Sequence, residues 1–84
     1  MSKRSSPEII ATILEAANGG IGKTRMLTKA NLTSAQFNKY IEVLVEKKLL
    51  DRSAGAHASY RTTSLGMRYL ELYGAIRSVS YLKA

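Results

Sequence analysis

Residues 33 to 63 constrain this chain most, because a capped amphipathic helix there runs straight into two short β-prone segments. Thr33 and Gln36 have the spacing of a capping box, in which the threonine hydroxyl accepts from the Gln36 amide and the glutamine side chain returns the bond. Phe37, Tyr40, Ile41, Leu44 and the stem of Lys48 fall within about 100° on a helical wheel, so one face of a helix over 34–48 is predicted to be buried. Ala35, Lys39, Glu42 and Glu46 lie opposite, flanked by Gln36 and Asn38. Segments 49–53 and 58–62 read as strands around Ala54, Gly55, Ala56 and His57, where Gly55 permits a tight reversal without an Asn-Gly signal.

The flanking segments read as helices. Ser6, Pro7 and Glu8 form a helix start, since proline is tolerated in the first turn and a carboxylate there suits the helix dipole. Ile9, Ile10, Ile13, Leu14 and Ala17 share one face until Asn18, Gly19 and Gly20 end the helix. A shorter helix over 23–30 turns Met26, Leu27 and Ala30 inward and Lys23, Arg25 and Lys29 outward, and 31–33 is the turn to the next. Thr63 caps a last helix through about Leu82, where Leu65, Tyr69, Leu72, Ile76 and Val79 recur at intervals of four and three. Leu70, Tyr73 and Tyr81 widen its apolar arc beyond the roughly 100° that one packing face needs. The predicted fold is therefore mainly α with a small β-hairpin, a winged helix-turn-helix in the order α-α-α-β-β-α with a C-terminal dimerisation helix. Residues 1–5 are expected to be a disordered basic arm, 6–63 the winged-helix domain and 64–84 the dimerisation element.

Eighty-four residues support one small core, because a chain this short buries only about 60 to 65 % of its extended surface. Thirteen Lys and Arg against six Asp and Glu leave a formal charge of +7, which favours a polyanionic partner. The charge is also placed. Between Ala16 and Ile41 there is no acid but there are Lys23, Arg25, Lys29 and Lys39; between Arg52 and Leu70 there is again no acid but there are Arg52, Arg61 and Arg68. The absence of cysteine excludes disulfides and thiolate metal sites, and fits an intracellular location. No apolar run approaches the roughly 20 residues of a membrane span, and no apolar stretch follows Lys3 and Arg4 as a signal peptide would require. The expected location is the cytoplasm, in association with the nucleoid.

One motif imitates another chemistry. Ala17 to Thr24 ends in Gly-Lys-Thr like a phosphate-binding P-loop, but Ala17 stands where glycine is required and a helix, not a strand, precedes it. The structural reading is a cap, a turn and a basic helix start. His57 has no Cys or second His to complete a zinc site. No histidine sits near an acid and no carboxylate pair is apparent, so no catalytic residue, metal or cofactor is assigned and no enzyme activity is expected. An outward helix over 34–48 fits the major groove of duplex DNA, where Ser34, Ala35, Gln36, Asn38 and Lys39 are candidates to read bases. Lys23, Thr24, Arg25, Lys29, Arg52, His57 and Arg61 are candidates to hold the backbone. Leu65, Tyr69, Leu70, Leu72, Tyr73, Ile76, Val79 and Tyr81 are candidates for a homodimer interface, with Leu70, Tyr73 and Tyr81 expected to face water in a monomer. A protein-interaction adaptor that uses the last helix for docking is the alternative; RNA binding is weaker, for want of an exposed aromatic platform. No membrane partner is expected, and the sequence names no small-molecule effector.

A resemblance joins these readings. The runs Thr24-Arg25-Met26-Leu27 and Lys29-Ala30-Asn31-Leu32, then Tyr40-Ile41, Leu49-Leu50, Tyr60-Arg61-Thr62-Thr63 and Gly66 resemble the archaeal winged-helix DNA-binding proteins that include small Sulfolobus nucleoid-associated proteins and predicted transcriptional regulators. The resemblance covers about residues 7 to 82. It implies an archaeal or archaeal-virus origin, DNA binding, a recognition helix on 34–48, a wing on 52–61, and dimers joined through the C-terminal helix. The chain departs from that pattern at Ser64-Leu65, where a charged pair is common, and in the shortness of its last helix.

Overall fold

A computed structural model describes residues 5–53 and 58–82, with side chains through Val79. Residues 1–4 of the arm expected over 1–5, the segment 54–57 with the candidate His57, and the side chain of Tyr81 lie outside the described residues. The order is α1 (Ser6–Ala16), β1 (Ile21–Gly22), α2 (Lys23–Ala30), α3 (Ser34–Glu46), β2 (Leu50–Ser53), β3 (Ser59–Thr62) and α4 (Ser64–Leu82). The mainly helical winged helix-turn-helix expected from the sequence is thus present, with one addition. The sheet has three strands, not two, because Ile21 and Gly22 pair antiparallel with Tyr60 and Ser59. β3 is central, and on its other side Leu50 to Ser53 pair with Thr62 to Ser59. A two-residue strand leaves no alternation to read, which is why periodicity missed it.

Each helix starts and stops for a local reason. The cap of α1 is Ser5, one residue before the expected start, and its hydroxyl accepts from the Glu8 amide at 3.3 Å. Gly19 and Gly20 adopt φ of 92° and 102°, a region side chains rarely enter, so the chain can reverse after α1. α2 ends on Asn31 in the left-handed region, closed by the Leu32 amide donating to the Leu27 carbonyl at 2.9 Å. The capping box of α3 forms as expected, with both Thr33–Gln36 bonds at 3.1 Å. That helix stops at Glu46, two residues early: Lys48 turns to φ 68° and the Leu49 amide closes the end on the Leu44 carbonyl. Lys48 is accordingly exposed, and its stem does not extend the buried face as the wheel suggested.

Ile9, Ile13, Leu14, Met26, Phe37, Ile41, Leu44, Leu50 and Tyr60 form the core. Phe37 meets Tyr60 edge-on, with ring centroids 5.4 Å apart. β3 also secures the end of α1, because the buried Thr62 hydroxyl donates to the Leu14 carbonyl at 2.6 Å and its amide donates to Ala17 at 3.1 Å. The start of α4 is seated equally tightly. Thr63 caps it by accepting from the Gly66 amide at 3.0 Å while donating to the Lys48 carbonyl at 2.7 Å.

The apolar arc of α4 divides differently from the expectation. Leu70, with Tyr69, packs against the core and Tyr73 is half-buried, so two of the residues expected to face water help to cover the domain. Apart from Tyr69, the four-and-three stripe is instead bare: Leu65, Leu72, Ile76 and Val79 are 53, 54, 65 and 67 % exposed. The angular position of the arc was legible, but which edge met α1 depended on where Thr63 anchored the helix.

Candidate nucleic-acid interface

The outward face of α3 follows from its inward one. With Phe37, Ile41 and Leu44 buried, the helix turns Ser34, Ala35, Asn38, Lys39, Glu42, Val43 and Glu46 to solvent. Four of the five sequence candidates for base reading are therefore exposed. Gln36 is the exception: it is half-buried, and its Oε1 accepts from the Thr33 amide. Bidentate pairing with adenine needs both ends of that amide, so the box must open before Gln36 can read a base.

The exposed cations of α2, α3 and β3 fall into two groups. Lys23, at the start of α2, reaches to 5.5 Å from the centroid of the Phe37 ring, which places it beside the first turn of α3; Lys39 lies on α3 itself. Arg25 and Lys29 line a groove of about 350 Å³ together with Asn18, Gly20, Gly22 and Ser59. Arg61 extends from the outer face of β3 to the same turn, its Nη2 lying 3.7 Å from where a side chain on Gly20 would begin. Among the described residues none of these five cations has an acid within 4.0 Å. Thr24 is exposed, and its carbonyl accepts from the Thr28 hydroxyl. The β1 turn, unrecognised as a strand in the sequence, is what brings Arg61 and the α2 cations to one place.

Arg52 is placed differently from Arg61. Its guanidinium contacts Glu42 Oε2 at 3.2 Å, the one ion pair among the described residues. It also lies 5.7 Å from the centroid of Tyr60, its cross-strand partner, within the range of a cation–π contact. Nothing in sequence spacing joined Glu42 to Arg52, because the pair forms only when β2 folds back along α3. The apolar dimer candidates lie on another surface, where Pro7, Tyr69, Leu72, Tyr73 and Ile76 line a groove of about 390 Å³. Tyr69 donates to the Pro7 carbonyl at 3.2 Å and stacks on Tyr73. Burial, reinforced by the neighbouring Tyr73, raises the Tyr69 phenol above its ordinary value.

No group of three metal-ligating side chains converges among the described residues, and none of their helices is long and apolar enough to cross a membrane. No curated protein matches the chain. Among solved structures it is similar to Sso10a-2, a DNA-binding protein from Sulfolobus solfataricus, at 25 % identity and a TM-score of 0.76 over 96 % of this chain and 98 % of that one. The winged helix-turn-helix family profile matches residues 3–81, almost the whole length described above, and the chain belongs to that family.

Proposed function

We infer that this protein binds duplex DNA as a homodimer, each subunit laying α3 in the major groove, and that it acts in the cytoplasm as a transcriptional regulator or a nucleoid architectural protein. The observation that carries the reading is that Lys23, Arg25, Lys29, Lys39 and Arg61 have no acid within 4.0 Å among the described residues, in a domain whose α3 turns a polar face outward; a helix fits the major groove. The likeness to a DNA-binding protein of the same fold supports it. Asn38, Lys39, Ala35 and Ser34 read bases; Lys23, Thr24, Arg25, Lys29 and Arg61 hold phosphates, with His57 a further phosphate candidate. Residues 6–63 act as the DNA-binding unit and 64–84 as the dimerisation element. In the dimer the bare stripe of Leu65, Leu72, Ile76 and Val79 is covered by a second copy, since its spacing is that of a coiled-coil seam.

Gel-shift titration on random and on selected duplex pools, at two salt concentrations, tests the reading. Salt-sensitive binding equal on both pools identifies an architectural protein, and strong preference for the selected pool identifies a regulator. The exposed stripe also favours the adaptor reading, in which a different protein covers it. Sedimentation decides between them: a dimer that Ile76→Asp dissociates supports the first, whereas a monomer that binds no duplex supports the second.

A further inference from the structure

A carboxylate on the outward face of a DNA-facing helix ordinarily repels phosphate, and α3 carries two, Glu42 and Glu46. They are not equivalent. Glu42 has its Oε2 held by Arg52 at 3.2 Å, while Glu46 has no cation within 4.0 Å among the described residues. Arg52 is itself placed by Tyr60, which packs on Phe37. A chain of contacts thus runs from the core of α3 through the wing root and back to the carboxylate. An exposed ion pair of this kind adds little stability, so its consequence is orientation. The Glu42 side chain remains 75 % exposed and no donor among the described residues reaches its Oε1. The result is an aimed acceptor, on the face of Ala35 and Lys39, whose charge a neighbour compensates.

Only some base edges can answer it. A carboxylate accepts and never donates, and in the major groove the donors are the amino groups of cytosine and adenine. Adenine places its N7 acceptor beside that amino group and guanine offers two acceptors, so both present a lone pair to the carboxylate. Thymine offers an acceptor and a methyl. Cytosine alone presents a donor with no acceptor beside it. We propose that Glu42 is a specificity-determining residue that accepts from cytosine N4, and that Arg52 is its positioning residue. This rests on the reading that α3 enters the major groove.

The assignment has a signature of opposite signs. Removing Glu42 deletes a negative charge near phosphate and frees Arg52, so binding to random duplex rises even as base preference falls. Full-length wild type, Glu42→Ala, Glu42→Gln and Arg52→Met, the last keeping its stem over Tyr60, are used to select from randomised duplexes. They are then titrated against the winning duplex and its C·G to T·A variant. Wild type is expected to prefer cytosine at one position per subunit by about five- to tenfold. Glu42→Ala lowers that to about twofold or less while binding random duplex more tightly, Glu42→Gln moves the preference toward adenine, and Arg52→Met lowers both preference and affinity. A Glu42→Ala variant that keeps the cytosine preference overturns the proposal, as does one that only loses affinity evenly, and so does a wild type that binds duplex with no base preference. A wild type that binds no duplex removes the DNA reading itself and this assignment with it. Circular dichroism of each variant verifies folding.

Discussion

Thr62→Val should cost about 2 kcal/mol of stability, although the two side chains have nearly the same shape. Thr62 is 8 % exposed and its hydroxyl donates to the Leu14 carbonyl at 2.6 Å. That carbonyl lies in the last turn of α1, and the amide that would serve it in a longer helix, that of Asn18, donates to Glu15 instead at 3.3 Å. Valine therefore removes a hydrogen bond worth about 1 kcal/mol net and leaves a buried acceptor whose desolvation costs about 1 to 3 kcal/mol. These overlap, and the added methyl returns up to about 0.8 kcal/mol. For a domain this small, 2 kcal/mol lowers Tm by roughly 8 to 16 °C. Thr62→Ser is the control: it keeps the hydroxyl and deletes the methyl that lies close to Gly66, so it should cost only about 1 kcal/mol. Thermal and urea denaturation, both at one fixed protein concentration because association shifts apparent stability, give the order wild type, serine, valine. A valine variant within about 0.5 kcal/mol of wild type, or a serine variant less stable than valine, would refute the account of how β3 secures α1.

Gly66→Ala should destabilise by about 1 to 3 kcal/mol, because a Cβ there would sit 2.5 Å from the Leu49 carbonyl oxygen and 2.6 Å from Thr62 Cγ2, and the first of these is backbone that cannot step aside; a denaturation midpoint equal to wild type would show that α4 is seated more loosely. Tyr69 has a raised folded pKa, chiefly from burial, so its contribution is complete below the ordinary tyrosine value near 10 and is lost as pH rises through the higher folded value. Tyr69→Phe should accordingly be less sensitive than wild type to alkaline unfolding above pH 10, and matching alkaline profiles would count against that linkage. If Lys23, Arg25, Lys29 and Arg61 each neutralise one phosphate, log affinity falls with log salt at a slope of about −3.6 per subunit, and Lys29→Ala reduces it by about 0.9. Gln36→Ala should lower stability by about 0.5 to 1 kcal/mol through loss of the capping box, whereas Asn38→Ala should leave melting unchanged and alter base preference; melting curves and selected-duplex titrations of the two variants separate a capping role from a reading one.

The helices were legible because their signals are local. Capping at Thr33 and Thr63, the double glycine after α1 and the spacing of Phe37, Ile41 and Leu44 each act within a turn or two of chain. The end of α3 was misjudged because nothing marks a lysine as a left-handed cap: Lys48 adopts φ 68° where glycine or asparagine would have signalled the stop. The division of α4 was illegible for a related reason. A wide apolar arc says how much surface must be covered, but its rotation is set by Thr63 and Gly66 closing on Lys48 and Leu49, contacts made 14 or more residues away. At the candidate interface, exposure of the basic residues followed from helix faces, whereas the Arg52–Glu42 pair and the meeting of Arg61 with Gly20 needed the sheet.

That sheet forms without a strong turn signal, and its register explains how. β3 is four residues long, and its side chains alternate between two duties. Tyr60 and Thr62 face inward, one against Phe37 and the other bonded to α1. Ser59 and Arg61 face the other way, Ser59 bonded to Ser53 at 2.7 Å and Arg61 reaching Gly20. Because side chains alternate with a period of two, a slip by one residue would exchange the sets. Arg61 would then be carried into the core without a partner, and the Leu14 carbonyl would lose its donor. Both costs fall on the slipped state alone, so the native register is selected by burial rather than by the loop. The same register puts Arg52 opposite Tyr60 and so next to Glu42. The residues that stabilise the domain therefore also determine how the wing root is set against α3, and a change at Thr62 or Tyr60 should alter DNA affinity as well as stability, even though neither side chain is exposed to DNA.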